Sequence, residues 1–400
     1  MNITLRQKIS QYWTTIQEEL IPQLTEELGP LTNQLLAVVR TLEVARIEEY
    51  IDRRWCGIGR PPKDRLALAR AFIAKSVLKL ITTEALRERL HMDRVLQRIC
   101  GFDTRKALPD AATFSRAFAE MAQSRIGERC HAALIEATLS DQLILHITRD
   151  GTEIGVRERP KCHRKHKRKA RVIDLTKVAP AQAVLTESAV AVSASTDMPA
   201  AIKLGRGRPK KGEVRAAPPA SSRLQQQRGE TLAQMLVALP RQCDRGTKCN
   251  AQGYKNSWNG YKLHLDIADG GIPVSVVLTS ASVHDSQTAI PLATMTAQRV
   301  TSLYDVMDAA YCSAEIRGHS AELGHVPLID HNPRKGEKRE FDAAEMARYK
   351  IRTQSERANA RLKDEFGANN LFVRGGEKVM AHLMFGVVAL TVDQLLRLRT

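Results

Sequence analysis

Aromatic residues are scarce in this chain: Phe, Trp and Tyr make up 4% of its 400 positions. A surface that holds nucleic acid by stacking successive bases on rings needs more of them, so stacking is excluded as the main binding mode. Cysteine is sparse as well. Seven thiols, an odd number without framework spacing, argue against a secreted disulfide scaffold and fit a reducing cytosol. No uninterrupted apolar run approaches 18 residues, and Met1 to Ile21 is polar and amphipathic, so neither a membrane span nor a secretory leader is expected. Acidic charge is the last deficit: 44 Asp and Glu face 61 Lys and Arg, a net +17. Such an excess requires a polyanionic partner, and nucleic acid fits better than a membrane surface.

What is present divides the chain into four. Residues 1–139 carry helical patterning and almost no strand signal, and read as a DNA-binding or packing region. Leu66, Ala69, Arg70, Ile73, Val77, Leu80 and Ile81 recur close to a 3.6 period after Pro61 and Pro62. Asp110 can cap a helix carrying Phe114 and Phe118 one turn apart. Residues 140–156 hold an apolar, strand-like run, Leu143 to Asp150, that ends in an acid. Residues 157–252 read as a basic, partly disordered insertion: Arg157 to Arg171 contains nine Lys or Arg against one Glu, and Ala179 to Ser222 is rich in Ala, Ser, Pro and Val.

Regular structure resumes in residues 253–400. Tyr261–Ala268 and Pro273–Ser280 read as strands joined by Asp269-Gly270-Gly271. Asp285 can cap a helix over Ser286–Thr296, Leu303–Asp308 is a buried strand again ending in an acid, and Val326–Asp330 is a short strand. One long helix is expected over Asp342–Phe366 and a last one from about Lys378 to Leu398.

The long helix carries the most specific signal. At about 100° per residue, Tyr349, Arg352, Glu356 and Lys363 fall within one stripe about 60° wide, while Ile351, Ala358 and Leu362 lie opposite. A carboxylate between two cations can hold a divalent metal while its neighbours hold phosphate. Tyr-x2-Arg-x3-Glu-x6-Lys resembles the signature of the DDE transposases of bacterial insertion sequences, and of the IS4 family in particular. Asp150-Gly151-Thr152, Trp258-x-Gly260-Tyr261-Lys262, His284-Asp285 and Asp308-Ala309-Ala310-Tyr311 are similar to that family's recurring segments.

The resemblance implies a fold and a chemistry. The order β, β-β, α, β, α, β, α is similar to an α/β ribonuclease H-like mixed-sheet core, here with a helical N-terminal domain and the long insertion after the first core strand. It implies Asp150, Asp308 and Glu356 as a metal-binding catalytic triad for two Mg²⁺ ions, with Mn²⁺ able to substitute, and Tyr349, Arg352 and Lys363 as phosphate contacts. The implied activity binds terminal inverted repeats in double-stranded DNA, nicks the ends and joins the 3′-hydroxyl to target DNA, as a homodimer in the bacterial cytoplasm. A ribonuclease H-fold endonuclease or resolvase without strand transfer would use the same carboxylates, and an inactive transposase-derived DNA-binding protein would keep the fold.

Several residues compete for these roles. Asp141 and Glu153 are alternatives to Asp150, Asp305 to Asp308, and Glu365 to Glu356; strand alternation and helix phase favour the named triad. His284 and Asp285 are candidate helpers, with capping the simpler role for Asp285. Arg206 and Arg208, in Gly205-Arg206-Gly207-Arg208-Pro209, resemble a minor-groove hook, with non-specific phosphate contact as the other reading. Cys162, His163, His166, Cys243 and Cys249 lack the spacing of a zinc knuckle.

Overall fold

Five helices in the N-terminal third begin where a side chain takes up a free backbone N–H. The computed structural model describes residues 14–52, 64–103, 105–160, 221–249, 252–332, 340–369 and 371–398. Contacts divide the chain into two units, Met1–Lys161 with Arg223–Thr400, and Cys162–Ser222, and the described elements all lie in the first. Helix α1 (Ile21–Leu28) has Pro22 in its opening turn, and α2 (Asn33–Ala45) is capped by Thr32. Asp64 caps α3 (Arg65–Val77), and Thr82 caps α4 (Thr83–Met92). Asp93 caps α5 (Arg94–Cys100), and Asp110 caps α6 (Ala111–Gln123) by accepting from Thr113 N at 2.7 Å. Helix α7 (Ile126–Leu139) completes the set. The periodic run after Asp64 is therefore two helices, α3 and α4, broken where Lys79 takes φ +56° and Leu80 N donates back to Lys75 O.

The strands and the remaining helices come in the order β1 (Leu143–Gly155), α8 (Arg223–Gln227), α9 (Leu232–Ala238), β2 (Asp244–Cys249), β3 (Lys255–Ala268), β4 (Ile272–Ser280), α10 (Ser286–Ala297), β5 (Thr301–Met307), α11 (Ala314–Glu322), β6 (Val326–Ile329), α12 (Ala343–Tyr349), α13 (Thr353–Glu365) and α14 (Gly376–Arg397). The sheet order is β2-β3-β1-β5-β6, with β4 also paired to β3. Residues 261–268 of β3 pair with β1 on one edge and β4 on the other, and residues 255–260 pair with β2 on that second edge. These pairings are antiparallel, whereas β1–β5 and β5–β6 are parallel. A mixed sheet of this kind, flanked by helices, is compatible with the ribonuclease H-like core that the sequence resembles.

Gly270 and Gly271 turn the β3–β4 hairpin with φ of +80° and +74°, a conformation that a side chain would strain. Strand β4 is buried along its whole length, in keeping with its near-continuous apolar sequence. Helices α8, α9 and strand β2 occupy part of the span read as insertion, 157–252, the rest of which lies largely outside the described residues. Strand β2 is an exposed edge with the sequence DRGTKC, which carries no apolar alternation to announce it.

One helix ties the two halves together. Phe385 of α14 stacks at 5.8 Å on Phe72 of α3, which meets Phe118 of α6 at 5.0 Å and Phe114 at 6.0 Å. By length and composition α14 is apolar enough to cross a membrane, contrary to the expectation that no such segment exists. It is instead wrapped by protein, with 78% of its apolar window buried and Val387, Val388, Ala389 and Leu390 wholly so. A helix surrounded by core is apolar on every face, which is why it passes the same test as a span.

Candidate active site

The register of two parallel strands builds the site. β1 and β5 pair as far as Arg149 opposite Met307, so the next residue of each chain segment is Asp150 and Asp308. Strand β5 stops there because Asp308 caps a 3-10 turn, Ala309–Tyr311, its Oδ1 accepting from Ala310 N at 3.0 Å. Burial, with the negative field of Asp308 added, pushes the Asp150 carboxyl up to about 6. Burial also raises Asp308, opposed by the Ala310 N–H and reinforced by Asp285. Arg352 and Lys248 pull both groups down.

The competing acids are placed elsewhere. Asp305 faces the other side of the sheet, buried, and accepts from Ser320 Oγ at 2.7 Å with His325 Nδ1 at 3.2 Å. Asp141 sits in the exposed turn before β1, Glu153 is exposed further along β1, and Glu365 pairs with Arg361.

The helix expected from Asp342 to Phe366 is interrupted. A 3-10 turn, Lys350–Arg352, separates α12 from α13, so Tyr349 and Glu356 are carried by different helices. Arg352 and Glu356 still share a face, with Nη2 donating to Oε1 at 2.7 Å. Tyr349 is half-buried, its phenol pushed up to about 12 mainly by burial and by the field of Asp330, so it remains a hydrogen-bond donor. Lys363 lies in the fields of Glu153 and Asp150, with burial lowering its basicity.

Asp150 and Asp308 are thus brought together, with Arg352 and Tyr349 within reach of their charge, while the Glu356 carboxylate is turned to Arg352. Among the described residues no three His, Cys, Asp or Glu side chains close into a ready-made metal cage. Arg206, Arg208, Cys162, His163 and His166 lie outside the described residues.

Asn359 and Lys248 enter the site without having been singled out for it, and Asp285 enters in a role other than capping. Asn359, one turn beyond Glu356, donates Nδ2 to Asp150 Oδ2 at 3.0 Å. Its helical phase, about −80° from Tyr349, is only about 20° past Arg352, at the stripe's buried margin. Lys248 comes from the polar edge strand β2. Asp285, expected to cap α10, makes no side-chain cap bond. Its Oδ1 accepts from Lys262 Nζ at 2.9 Å, which also donates to Val283 O, so the carboxylate is drawn off the helix end and toward Asp308.

The backing of the site is equally specific. A Cβ on Gly151 would stand 2.9 Å from His264 Nδ1 and 3.3 Å from Asp285 Oδ1, so only glycine lets β1 pass this close. Alternation turns Arg149 away from Asp150 into a bidentate pair with Asp266, both bonds 2.7 Å and the side chains 1% and 0% exposed. Removing one partner of such a pair strands a buried charge, at a cost of roughly 3–5 kcal/mol.

The donor set suits a hard divalent cation. Asp150, Asp308 and Glu356 offer only oxygen, the ligand chemistry of Mg²⁺ and Mn²⁺ rather than of thiolate-seeking metals. Two adjacent, half-buried carboxylates whose charges oppose each other are stabilised by a cation between them, and Asn359 leaves its Oδ1 buried without a partner beside them.

Comparison with known proteins agrees with this chemistry. The Transposase DDE domain matches residues 236–392, and the Transposase domain (DUF772) matches residues 23–120. Asp308 and Glu356 fall inside the first match, and Asp150 lies between the two. Neither a curated protein nor a solved structure gives a match. The chain thus carries two transposase domains, and the DDE domain is that of metal-dependent enzymes that cut DNA and transfer its strands.

Proposed function

We propose that the chain is the transposase of a bacterial insertion sequence of the IS4 type, which binds the element's terminal inverted repeats, nicks the ends and joins the freed 3′-hydroxyl to target DNA in the nucleoid. The observation that carries this reading is the side-by-side placement of Asp150 and Asp308 on parallel strands, with Glu356 on the helix whose next turn bonds Asp150. These three carboxylates would hold Mg²⁺, two ions in the full site. When bound, the metal acidifies the attacking hydroxyl and offsets charge on the leaving oxygen.

The chain's own residues do the rest. Arg352 and Lys363 hold phosphate oxygens of the scissile strand, Arg352 exchanging Glu356 for phosphate as the carboxylate turns to the cation. Tyr349 donates its phenolic proton to the same backbone. Arg206 and Arg208 add further contacts to the DNA. Two ends must be cut together, and a homodimer supplies one site for each.

Asp308→Asn tests the assignment, since it removes a charged ligand with little change in volume. Cleavage of DNA carrying the element's ends, in Mg²⁺, should fall by about 10-fold to 100-fold or more while DNA binding persists. Cleavage within about threefold of the parent removes Asp308 from the ligand set. In the parent, a product with the 3′-end covalently joined to target DNA separates transposition from a nuclease that only cuts.

A further inference from the structure

We infer that Asn359 is a positioning residue for the catalytic centre: its amide fixes the Asp150 carboxylate and locks β1 to the turn of α13 that carries Glu356. An ionised carboxylate can only accept, so the Nδ2 face of the amide is the one turned to Asp150 Oδ2, at 3.0 Å. The bond reaches across 209 positions of sequence and joins β1 to α13, whose Ala358 and Leu362 share one apolar cluster with Ile154 of β1 and with Leu263 and Leu265 of β3. Asn359 is 6% exposed, and its Oδ1 is buried without a partner.

Burying an amide with one half unsatisfied lowers stability, and Leu would fill this position on a helix face already flanked by core at a lower cost. The buried amide therefore serves the carboxylate. With Oδ2 occupied by Asn359, Asp150 presents Oδ1 to a cation in one orientation. Because Glu356 lies three residues earlier on the same helix, the bond also sets the spacing between the two ligands. Ligand-orienting hydrogen bonds of this kind affect metal affinity as well as rate.

The inference rests on Asp150 being a cation ligand, and the experiment separates the two. The full-length protein is titrated with Mn²⁺ and the rise in melting temperature gives a midpoint, since a cation bound to the native state stabilises it. Asn359→Leu keeps the volume and removes the donor; Asn359→Ala does the same without bulk should the leucine variant not fold. Either should raise the Mn²⁺ midpoint about tenfold or more, with the same displacement in the Mn²⁺ needed for end cleavage. A shift below about threefold overturns the positioning role, whatever happens to the melting temperature in EDTA, which a packing role alone would move. Asp150→Asn is the reference: if it leaves the parent's midpoint unchanged, or the parent shows no Mn²⁺ response, the ligand reading itself fails and this inference falls with it.

Discussion

Alternation along β1 puts opposite charges on opposite faces within two residues. Arg149 is sealed against Asp266, and Asp150 is turned to α13 and the open end of β5. The sealed pair fixes the strand, which lets its neighbour carry an unfavourable charge. In the fold the Asp150 carboxyl is pushed up to about 6 by burial and by Asp308, whereas in an unfolded chain it sits near 3.9. The folded state therefore holds this proton more tightly, and the stability that comes from it is present in acid and lost as the pH rises through about 6. Asp150→Asn is neutral throughout. In EDTA it should melt higher than the parent at pH 8, and the difference should shrink on going down to pH 5. A difference that is constant across that range would show that Asp150 does not carry its charge in a buried, repulsive setting.

At the scale of the element, α13 has two working faces. Arg352, in the turn that leads into it, lies in the field of Asp150 and Asp308 and bonds Glu356, while Arg361, on the far side, bonds Glu365 and Asp393 and so fastens α13 to α14. Arg361 is thus a structural residue, and the exposed Arg357, about 100° round from Glu356, is the better comparison. Arg352→Ala should weaken end cleavage about tenfold or more, as expected for the loss of a charge-assisted contact of roughly 1.5–3 kcal/mol. Arg357→Ala should change it far less, both variants being measured at equal folded concentration checked by circular dichroism. Equal losses would mean that the stripe is not an active-site face.

The elements that sequence makes legible are those with a sharp period or a continuous apolar run: β1, β3, β4, β5, α13 and α14. Capping acids such as Asp110 mark their helix as expected, but Asp285 does not, because Lys262 on a neighbouring strand competes for its carboxylate and tertiary pairing wins. Strand β2 is hidden by its polarity, and the 3-10 turn at Lys350–Arg352 by φ and ψ values that stay close to those of a helix. The adjacency of Asp150 and Asp308 follows from their strand ends, whereas the Asn359 bond has no such signal, since nothing in a sequence announces which polar side chain at the margin of an apolar face will meet a residue 209 positions away.

For the whole molecule, charge is the dominant property and it is unevenly spread. Residues 162–222 contain thirteen Lys and Arg against four acids, so they carry more than half of the net +17. Six of those cations, Arg164, Lys165, Lys167, Arg168, Lys169 and Arg171, fall within eight consecutive positions. If this segment tracks the DNA backbone, each phosphate it neutralises releases counterions, and the affinity falls with salt by a slope of about −0.9 per contact on a log–log plot. Replacing the six by Gln keeps the chain length and leaves the carboxylate site untouched. Binding to an unrelated duplex, followed between about 50 and 200 mM salt, should then show a slope shallower by about 2 to 5, with the largest loss of affinity at low salt. Cleavage at the element's ends should suffer less than non-specific binding, because the proposed function draws the phosphate contacts nearest the acids from Arg352 and Lys363. An unchanged slope would mean that these cations do not touch DNA and that the excess charge acts elsewhere in the chain.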